Sequence, residues 1–369
     1  MARRTARRAL LGYNVRMVRS VPMTSQPPAW LLRAGYHAIG ALFALPDTLL
    51  GLLAGPVPPE AAGLEPDAWL VARLSERARL PAGELPPAQM RARFELLATP
   101  FSARRLPALQ RSDHELAGPA GPIPARLYRP AQAPTRGPLL VYYHGGGWVQ
   151  GSIASHDHAC GLLAHLSGVR VLSIEYRLAP EHPFPAAADD ALAAYAQAAE
   201  RHAELDVDPG RLAIGGDSAG GNLAAVTAQA LRGDRSLPAP ALQLLIYPAL
   251  DMSRRRESRR LFGERFLLTE QTMAWYEDQY VPDLGLRADP RVSPLLADLS
   301  GLPPAHIATC LADPLRDEGE DYARGLRQAG VPVALQRHPL VHGFFNQTVT
   351  RSAHRAVAAI AGALRQAFA

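Results

Sequence analysis

The chain has 369 residues, of which 48% are hydrophobic and 20% are charged, a composition typical of a globular protein with a substantial core. Its net charge of +5 comes from six arginines among the first twenty residues. The remainder is close to neutral, which argues against a nucleic-acid partner or a strongly anionic substrate. The only cysteines, Cys160 and Cys310, are too far apart to indicate a disulfide framework or a zinc site. We expect core thiols in a cytoplasmic protein.

Residues 1–28 combine the arginine-rich start with Pro22, Pro27 and Pro28. They lack the apolar run that must follow the basic region of a signal peptide. A segment with many charges and few large apolar side chains cannot offset the entropy of ordering. We therefore predict that residues 1–28 are a disordered basic leader.

Residues 30–54 are strongly apolar, and Arg33, His37 and the pair Pro46–Asp47 interrupt them. These interruptions favour two short amphipathic helices that pack over the main domain. Two alternatives stay open, namely peripheral contact with a membrane surface and a membrane span. A lipid surface is thus a candidate partner of this segment.

Two helices with a proline in the first turn are predicted next, over residues 66–79 and 87–98. We expect them to be lid or cap helices. After Ser112 the periodicity changes, because residues 123–128 alternate between apolar and polar side chains and lie next to glycine-proline turns. Such alternation is typical of strands at the edge of a sheet.

From residue 139 onward, short apolar runs alternate with helical stretches, which is typical of an α/β protein with a mostly parallel sheet covered on both faces. The predicted strands are residues 139–143, 169–174, 212–214, 242–247, 306–311 and 333–337. The predicted helices are residues 155–167, 186–204, 222–231, 318–329 and 353–368. An insert over residues 251–294, which contains a charged run and a predicted helix over 269–280, interrupts this rhythm.

Ser218 stands among four glycines in the run Gly215–Gly221, directly after the apolar residues 212–214. A sharp strand-to-helix turn needs glycine two residues before and two residues after the serine, because a Cβ there would collide with a neighbouring element. Gly216 and Gly220 fill those places. We predict a nucleophile elbow at Ser218, followed by a helix whose N-terminal dipole favours negative charge.

A second glycine-rich run, His144–Trp148, follows the predicted strand over 139–143, at the end of the strand where ligands of parallel sheets bind. Backbone N–H groups in such a run can stabilise the oxyanion of an acyl-transfer intermediate. The predicted oxyanion-hole donors are the N–H groups of Gly146, Gly147 and Ala219. Supporting roles are predicted for His144, Gly145, Trp148 and Asp217, and we expect His144 to brace the loop rather than titrate.

A serine hydroxyl needs a base to take its proton, and that base needs a carboxylate to orient it. Asp313 follows the strand predicted to end at Leu311, and His342 follows the last predicted strand. The order serine, acid, histidine is the one expected of an α/β-hydrolase sheet. Asp317 competes as the acid on spacing alone, but it is placed to open the next helix. We therefore assign Asp313 as the acid and His342 as the base.

Other histidines have ordinary structural explanations on helix faces, in turns or in strands. They are His156, His158, His165, His182, His306 and His338. His156 and His158 are two residues apart at the start of a predicted helix, so they lie on different faces and are poorly placed to share a metal ion. We predict neither a metal nor a cofactor.

Four motifs occur together in one order. They are HGGGW at 144–148, YRLAPEHPFPAA at 176–187, GGDSAGGNLAA at 215–225, and DPLRDEG at 313–319 with HGF at 342–344. Together they resemble the hormone-sensitive-lipase family of α/β-hydrolase esterases, the bacterial family IV carboxylesterases. The GDSAG form resembles the subgroup with aspartate before the serine. The likeness covers the chain from about residue 63 to its end.

This resemblance implies an α/β-hydrolase fold with a mostly parallel central sheet flanked by helices, and with Ser218, Asp313 and His342 as nucleophile, acid and base. It also implies a structural loop over 176–181 and a cap formed by the N-terminal helices and the insert. The predicted parts are then the leader over 1–28, a helical cap segment over 29–110 and a catalytic domain over 111–369. The first sixty residues exceed the family's usual cap segment.

The expected activity is hydrolysis of short to medium acyl esters, with a small-molecule ester as the partner and no cofactor. Alternatives that stay open are a lipase on longer acyl chains, an arylamide or formamide hydrolase, and a transacylase. A non-catalytic ligand-binding member of the fold, similar to plant hormone receptors, is the alternative from another class. Such proteins lack a member of the triad, whereas all three candidates are present here.

Overall fold

The computed structural model of the chain describes residues 29–81, 83–101 and 109–369, so the predicted leader lies outside the described residues. The strands in this part are β1 Leu109–Gly118, β2 Gly121–Pro130, β3 Gly137–Tyr143, β4 Arg170–Ile174, β5 Val207–Asp217, β6 Gln243–Ile246, β7 Ala305–Ala312 and β8 Val333–Val341. The first helices are α1 Ala29–Phe43, α2 Asp47–Ala54, α3 Pro66–Ala78, α4 Pro87–Phe101 and α5 Ile153–Ser167. The later helices are α6 Ala186–Glu200, α7 Ala219–Ala230, α8 Glu257–Phe262, α9 Glu270–Tyr280, α10 Arg316–Gln328 and α11 Arg351–Gln366.

The strands form one sheet in the order β1-β2-β4-β3-β5-β6-β7-β8. β1 pairs with β2 and β2 pairs with β4 in antiparallel fashion, and the remaining neighbours are parallel. Each parallel neighbour requires a crossover connection, which explains why helices alternate with strands along the chain. The predicted α/β class with a mostly parallel sheet is confirmed.

Apolar side chains cover both faces of the sheet. In β3, Leu139 and Val141 face the core that includes α6, α7 and α10, whereas Leu140 and Tyr142 face the core that includes α3, α5 and α11. Alternate residues of a strand point to opposite faces, so a strand covered on both sides is apolar throughout. All seven residues of β3 are buried.

The segment before the sheet is attached to the last helix. Arg351, the first residue of α11, donates to the carbonyl oxygens of Phe43 at 3.2 Å and Leu45 at 2.9 Å and pairs with Asp47. Phe43 and Leu50 are buried in the same core as α11. The two short helices predicted over residues 30–54 are therefore present as α1 and α2, and they pack against the main domain.

In the described part of the chain, no single helix is long and apolar enough to cross a membrane. The pair His37–Phe43 and Asp47–Ala54 reaches the necessary length and composition only when taken together, and it bends by 107°.

The edge of the sheet differs from the prediction. β1 is absent from the predicted strands because its residues do not alternate clearly, and only Leu116 among them is buried. β1 nevertheless pairs with β2 along its whole length, from Leu109 opposite Pro130 to Gly118 opposite Gly121. Backbone pairing requires no apolar side chains. The edge position predicted for residues 123–128 is therefore wrong, since β1 occupies that edge and β2 lies inside it.

Candidate active site

Ser218 lies in a sharp turn between β5 and α7, with φ 54° and ψ −117°. This conformation is strained for a residue with a side chain and needs support from the surrounding packing. A Cβ at Gly216 would lie 2.4 Å from the carbonyl oxygen of Tyr143, and a Cβ at Gly220 would lie 1.9 Å from the same oxygen. The turn therefore requires glycine at both positions, and it holds the half-buried Ser218 at the carboxyl end of β5.

Ser218, His342 and Asp313 form a continuous hydrogen-bonded chain. Ser218 Oγ lies 2.9 Å from His342 Nε2, and His342 Nδ1 lies 2.8 Å from Asp313 Oδ2. Asp313 is fully buried, and its Oδ1 accepts the N–H of Leu315 at 2.8 Å. A carboxylate at Nδ1 holds the ring proton there and presents the unprotonated Nε2 to the serine hydroxyl. The three side chains follow β5, β7 and β8, whose carboxyl ends meet at one edge of the sheet.

Asp317, the competing acid, lies in the first turn of α10 and has different partners. Its Oδ2 accepts the N–H of Ser258 at 2.7 Å, and its Oδ1 accepts from Arg316 at 2.9 Å. Ser258 Oγ accepts the N–H of Asp317 at 3.2 Å and donates to the carbonyl oxygen of Pro314 at 2.8 Å. Asp317 therefore joins α8 of the insert to the loop that carries Asp313.

The glycine-rich loop over residues 144–151 follows β3 and lies next to the serine turn. A Cβ at Gly145 would lie 3.0 Å from the carbonyl oxygen of Asp217, and one at Gly146 would lie 2.0 Å from that of Gln150. Gly146 and Gly147 have φ values of 124° and 62°, which favour glycine. No acceptor in the described part of the chain receives the N–H groups of Gly146, Gly147 and Ala219. These donors remain available to a ligand.

Asp217, which precedes Ser218, anchors the glycine-rich loop. Its buried carboxylate accepts the N–H of Gly145 at 2.8 Å and the hydroxyls of Tyr142 at 2.6 Å and Tyr247 at 3.2 Å. His156 Nε2 lies 3.4 Å from the same carboxylate. Burial alone would raise the pKa of Asp217, but His156 together with the Tyr142 and Gly145 donors lowers that pKa below its ordinary value. The carboxylate is therefore ionised at neutral pH and ties the loop to the serine turn.

His144 is fully buried within the glycine-rich loop. Its Nδ1 donates to the carbonyl oxygen of Gly145 at 2.9 Å, and its own carbonyl oxygen accepts the hydroxyl of Tyr176 at 2.7 Å. The rings of His144 and Tyr176 stack 4.3 Å apart. Burial lowers the pKa of His144 to about 3, and the neighbouring His156 adds to this effect. His144 is therefore neutral at physiological pH and braces the loop through the segment that begins at Tyr176.

The insert packs against this loop through α9. Trp148 stacks on Tyr280 with ring centroids 4.7 Å apart and planes 2° from parallel. Gln150 Nε2 donates to the hydroxyl of Tyr276 at 2.6 Å. Both contacts join α9 to the loop that presents the free N–H groups, so the insert forms part of the wall of the site.

Three partners of Asp217, namely Tyr142, His156 and Tyr247, were not predicted to have a role in the site. His156 lies near the start of α5, where it approaches Asp217 and stacks with Phe94 of α4 at a centroid distance of 6.5 Å. The only sequence signal for a role of His156 in the site is its position shortly after the glycine-rich run. A lone histidine on a helix is usually structural, so that signal does not indicate a role.

No group of three or more histidine, cysteine, aspartate or glutamate side chains within the described ranges could hold a metal ion. His158, which lies two residues after His156, hydrogen-bonds through Nδ1 to Thr348 Oγ1 at 2.9 Å. His156 Nε2 lies 2.8 Å from Asn346 Nδ2, so the two histidines have different partners in the segment that follows β8.

Comparison with known proteins identifies the same fold. A family model described as the alpha/beta hydrolase fold matches residues 140–346. The chain is 51% identical over 242 residues to the carboxylic ester hydrolase LipN of Mycobacterium tuberculosis, and the match covers 64% of each chain. The chain therefore spans slightly less than two thirds of the length of that relative. It is 44% identical over 249 residues to an ethyl acetate hydrolase of Pseudomonas putida, with 66% of this chain and 78% of that protein covered.

Solved structures agree with these matches. The hyperthermophilic esterase from the archaeon Pyrobaculum calidifontis is 40% identical and superposes with a TM-score of 0.76. The superposition covers 85% of this chain and 99% of the esterase. The family model spans more than half of the chain and includes both glycine-rich runs, Asp313 and His342. The chain therefore belongs to the α/β-hydrolase family and, within it, to the hormone-sensitive-lipase-like (family IV) carboxylesterases.

Proposed function

We propose that this protein is a serine carboxylesterase that hydrolyses short to medium acyl esters. The observation that carries the proposal is the hydrogen-bonded chain from Ser218 through His342 to Asp313, next to a loop with free backbone N–H groups. Acyl transfer needs an activated nucleophile and donors for the oxyanion, and this arrangement can supply both. The relative that is 44% identical over 249 residues is named for the hydrolysis of ethyl acetate, which supports a short acyl chain.

In the first half of the reaction, His342 Nε2 takes the proton of Ser218 as Oγ attacks the carbonyl carbon of the ester. Asp313 stabilises the imidazolium that forms, without itself taking the proton. The tetrahedral intermediate then collapses, the bond to the alcohol oxygen breaks, and His342 donates its proton to the departing alcohol. In the second half His342 takes a proton from water, the resulting hydroxide attacks the acyl carbon, and the proton returns to Ser218 as the acid leaves.

The negative charge of each tetrahedral intermediate would be held by the N–H groups of Gly146, Gly147 and Ala219. Ala219 is the first residue of α7, so the positive end of that helix dipole adds to the stabilisation. Removal of a single oxyanion donor typically costs about 10²- to 10³-fold in kcat. We therefore expect the loss of any one of these three N–H donors to lower kcat by a factor in this range.

A series of p-nitrophenyl esters from acetate to decanoate tests the proposal. The purified protein should hydrolyse the short members fastest, with turnover falling as the acyl chain lengthens. A maximum at the long end would instead favour a lipase, and faster cleavage of the matching anilide would favour an arylamide hydrolase. An acyl transfer to added alcohol that exceeds hydrolysis would favour a transacylase. Absence of turnover with every substrate would favour a ligand-binding protein.

Asp217 offers a test of how the oxyanion loop is positioned. Asp217→Ala removes the acceptor of the Gly145 N–H, so we expect kcat to fall by about 100-fold with little change in KM. Asp217→Asn keeps an oxygen that can accept this N–H, and we expect a loss below about tenfold. The acidic limb of the pH profile should be the same in both variants, because Asp217 is not part of the chain from Ser218 to Asp313. Equal losses in the two variants would contradict a positioning role.

We also propose that α2 contacts an anionic lipid surface. On α2, Leu49 and Leu52 are 44% and 72% exposed, whereas Leu50 and Ala54 are buried against the domain. Six arginines precede this helix in the first twenty residues of the sequence. An exposed apolar face combined with basic residues is the pattern that binds peripherally to anionic lipid.

The lipid contact is tested by co-sedimentation with vesicles of phosphatidylcholine, with and without phosphatidylserine. We expect the double change Leu49→Ser with Leu52→Ser to reduce binding to the anionic vesicles severalfold, since it removes the apolar anchor. Leu284→Ser is the matched control, because Leu284 is 68% exposed on the insert instead. Equal binding by all three proteins would rule out α2 as the contact.

A further inference from the structure

We propose that Tyr276 of α9 is the residue that limits the length of the acyl chain. This inference rests on the proposed esterase function and assigns the specificity of the same site. Its basis is that the Tyr276 ring packs against the backbone of Gly147, whose N–H is a proposed donor to the oxyanion. A chain that extends past this position meets the ring.

The first observation is the distance between the tyrosine ring and the glycine. A Cβ built on Gly147 would lie 2.3 Å from the Cγ and Cδ2 atoms of Tyr276 and 2.7 Å from its Cε2 atom. The ring thus lies in van der Waals contact with the backbone of a predicted oxyanion donor. Because that donor must contact the reacting carbonyl group, the ring lies within a few atoms of the acyl chain.

The second observation is that the ring is fixed. Its hydroxyl accepts from Gln150 Nε2 at 2.6 Å, and the N–H of Gln150 donates to the carbonyl oxygen of Gly146 at 3.0 Å. The next residue of α9, Glu277, pairs at 2.7 Å with Arg259, which is itself buried. A side chain held through both its own hydroxyl and its helix cannot swing away at low cost. The Tyr276 ring is therefore a fixed boundary that does not move aside for a longer acyl chain.

The third observation is the composition of the surroundings. Leu268, Met273 and Leu315 form a small buried cluster, separate from the two main cores, with Ala249 and Tyr276 packed against it. The N–H of Ala249 donates to the carbonyl oxygen of Ser218 at 3.2 Å, and that of Leu315 donates to Asp313 Oδ1 at 2.8 Å. The cluster thus touches the segments of both the nucleophile and the acid. An apolar surface at this position suits the methylene groups of an acyl chain.

These three observations give a specific expectation for acyl length. In the proposed arrangement the first methylene groups of the acyl chain pack against this apolar cluster, and the Tyr276 ring then stops the chain. Discrimination of hydrophobic chains by such a wall is about 10- to 200-fold for each methylene that does not fit. Removing the ring should therefore raise the rate on long acyl chains relative to the rate on short ones.

The experiment compares kcat/KM for p-nitrophenyl decanoate with that for the butyrate ester. In Tyr276→Ala we expect this ratio to rise at least about tenfold over the unaltered protein, whatever the change in kcat that both esters share. Tyr276→Leu gives a second variant with a smaller side chain, should the alanine variant fail to fold. Thermal unfolding establishes that each variant is folded.

Two controls isolate the ring. Tyr276→Phe keeps the ring and loses only the hydrogen bond to Gln150, so the ratio should stay within about twofold. Trp275→Ala removes the adjacent aromatic side chain, which approaches Gly83 rather than the glycine-rich loop, and should also leave the ratio unchanged. An unchanged ratio in folded Tyr276→Ala and Tyr276→Leu would overturn the inference while leaving the esterase function intact. Absence of butyrate hydrolysis by the unaltered protein would overturn both.

Discussion

Replacing Ser218 with alanine is expected to lower ester turnover by about 10³- to 10⁶-fold. The hydroxyl that bonds to His342 Nε2 is the only nucleophile in the proposed reaction, and free N–H donors cannot replace covalent catalysis. The fold should be retained, because the turn is held by backbone contacts such as that from the N–H of Ser218 to the carbonyl oxygen of Ile246 at 2.9 Å. Alanine carries the same Cβ and adds no new backbone strain there.

The measurement is steady-state hydrolysis of p-nitrophenyl butyrate, with circular dichroism to establish folding. Ser167→Ala is a suitable control, because Ser167 is also buried and its hydroxyl donates to the carbonyl oxygen of Leu163 within α5. This control should keep its turnover. If Ser218→Ala retained even a tenth of the activity, the nucleophile would have to be another residue.

The two aspartates of the DPLRDEG motif are expected to differ greatly in how much kcat depends on them. In Asp313→Asn we expect kcat to fall by roughly 10³- to 10⁴-fold, because an amide cannot accept from both His342 and the N–H of Leu315. If the amide nitrogen faces His342 Nδ1, the ring must carry its proton on Nε2. The base then cannot take the proton of Ser218.

Asp317→Asn should lower kcat by less than about tenfold. The partners of Asp317 are Ser258 and Arg316, and it makes no contact in the chain from Ser218 to Asp313. Its loss should appear as reduced stability, by about 1–3 kcal/mol, since a charged acceptor is removed from a partly buried N–H. Parallel measurements of kcat and of thermal unfolding in the two variants show which aspartate is the acid. A larger loss of kcat in Asp317→Asn would reverse the assignment.

The sheet and the positions of the candidate triad could be predicted because both depend on local patterns. The run before His144 and the run before Gly215 are apolar and bounded by glycine, and this pattern reflects a buried parallel strand followed by a tight turn. Asp313 and His342 follow strands of the same kind. Once the strands are known to be parallel, their carboxyl ends must meet at one edge. The roles assigned to these residues stay predictions, which the variants above test.

The contacts around Asp217 could not be predicted in this way. His156 reaches Asp217 from α5, and Tyr247 reaches it from the end of β6. These pairings depend on how helices are placed over the sheet, which periodicity does not specify. The ring of Tyr276 beside Gly147 is a further example, because the insert has no repeating pattern that relates it to the loop. The strand β1 was not predicted for a different reason. Its pairing with β2 depends on backbone hydrogen bonds, so its side chains show no alternating pattern.

The two buried thiols can report when the core around them opens. Cys160 and Cys310 are free and fully buried, one on α5 and the other in β7, where Cys310 Sγ donates to the carbonyl oxygen of Val341 next to His342. Burial raises the pKa of both thiols well above the ordinary value, so they remain protonated and unreactive. A disulfide reagent in solution can reach them only when the surrounding core opens. The rate at which each thiol is modified therefore measures how often the core around it opens, between α5 and β4 for Cys160 and next to His342 for Cys310, without an added label.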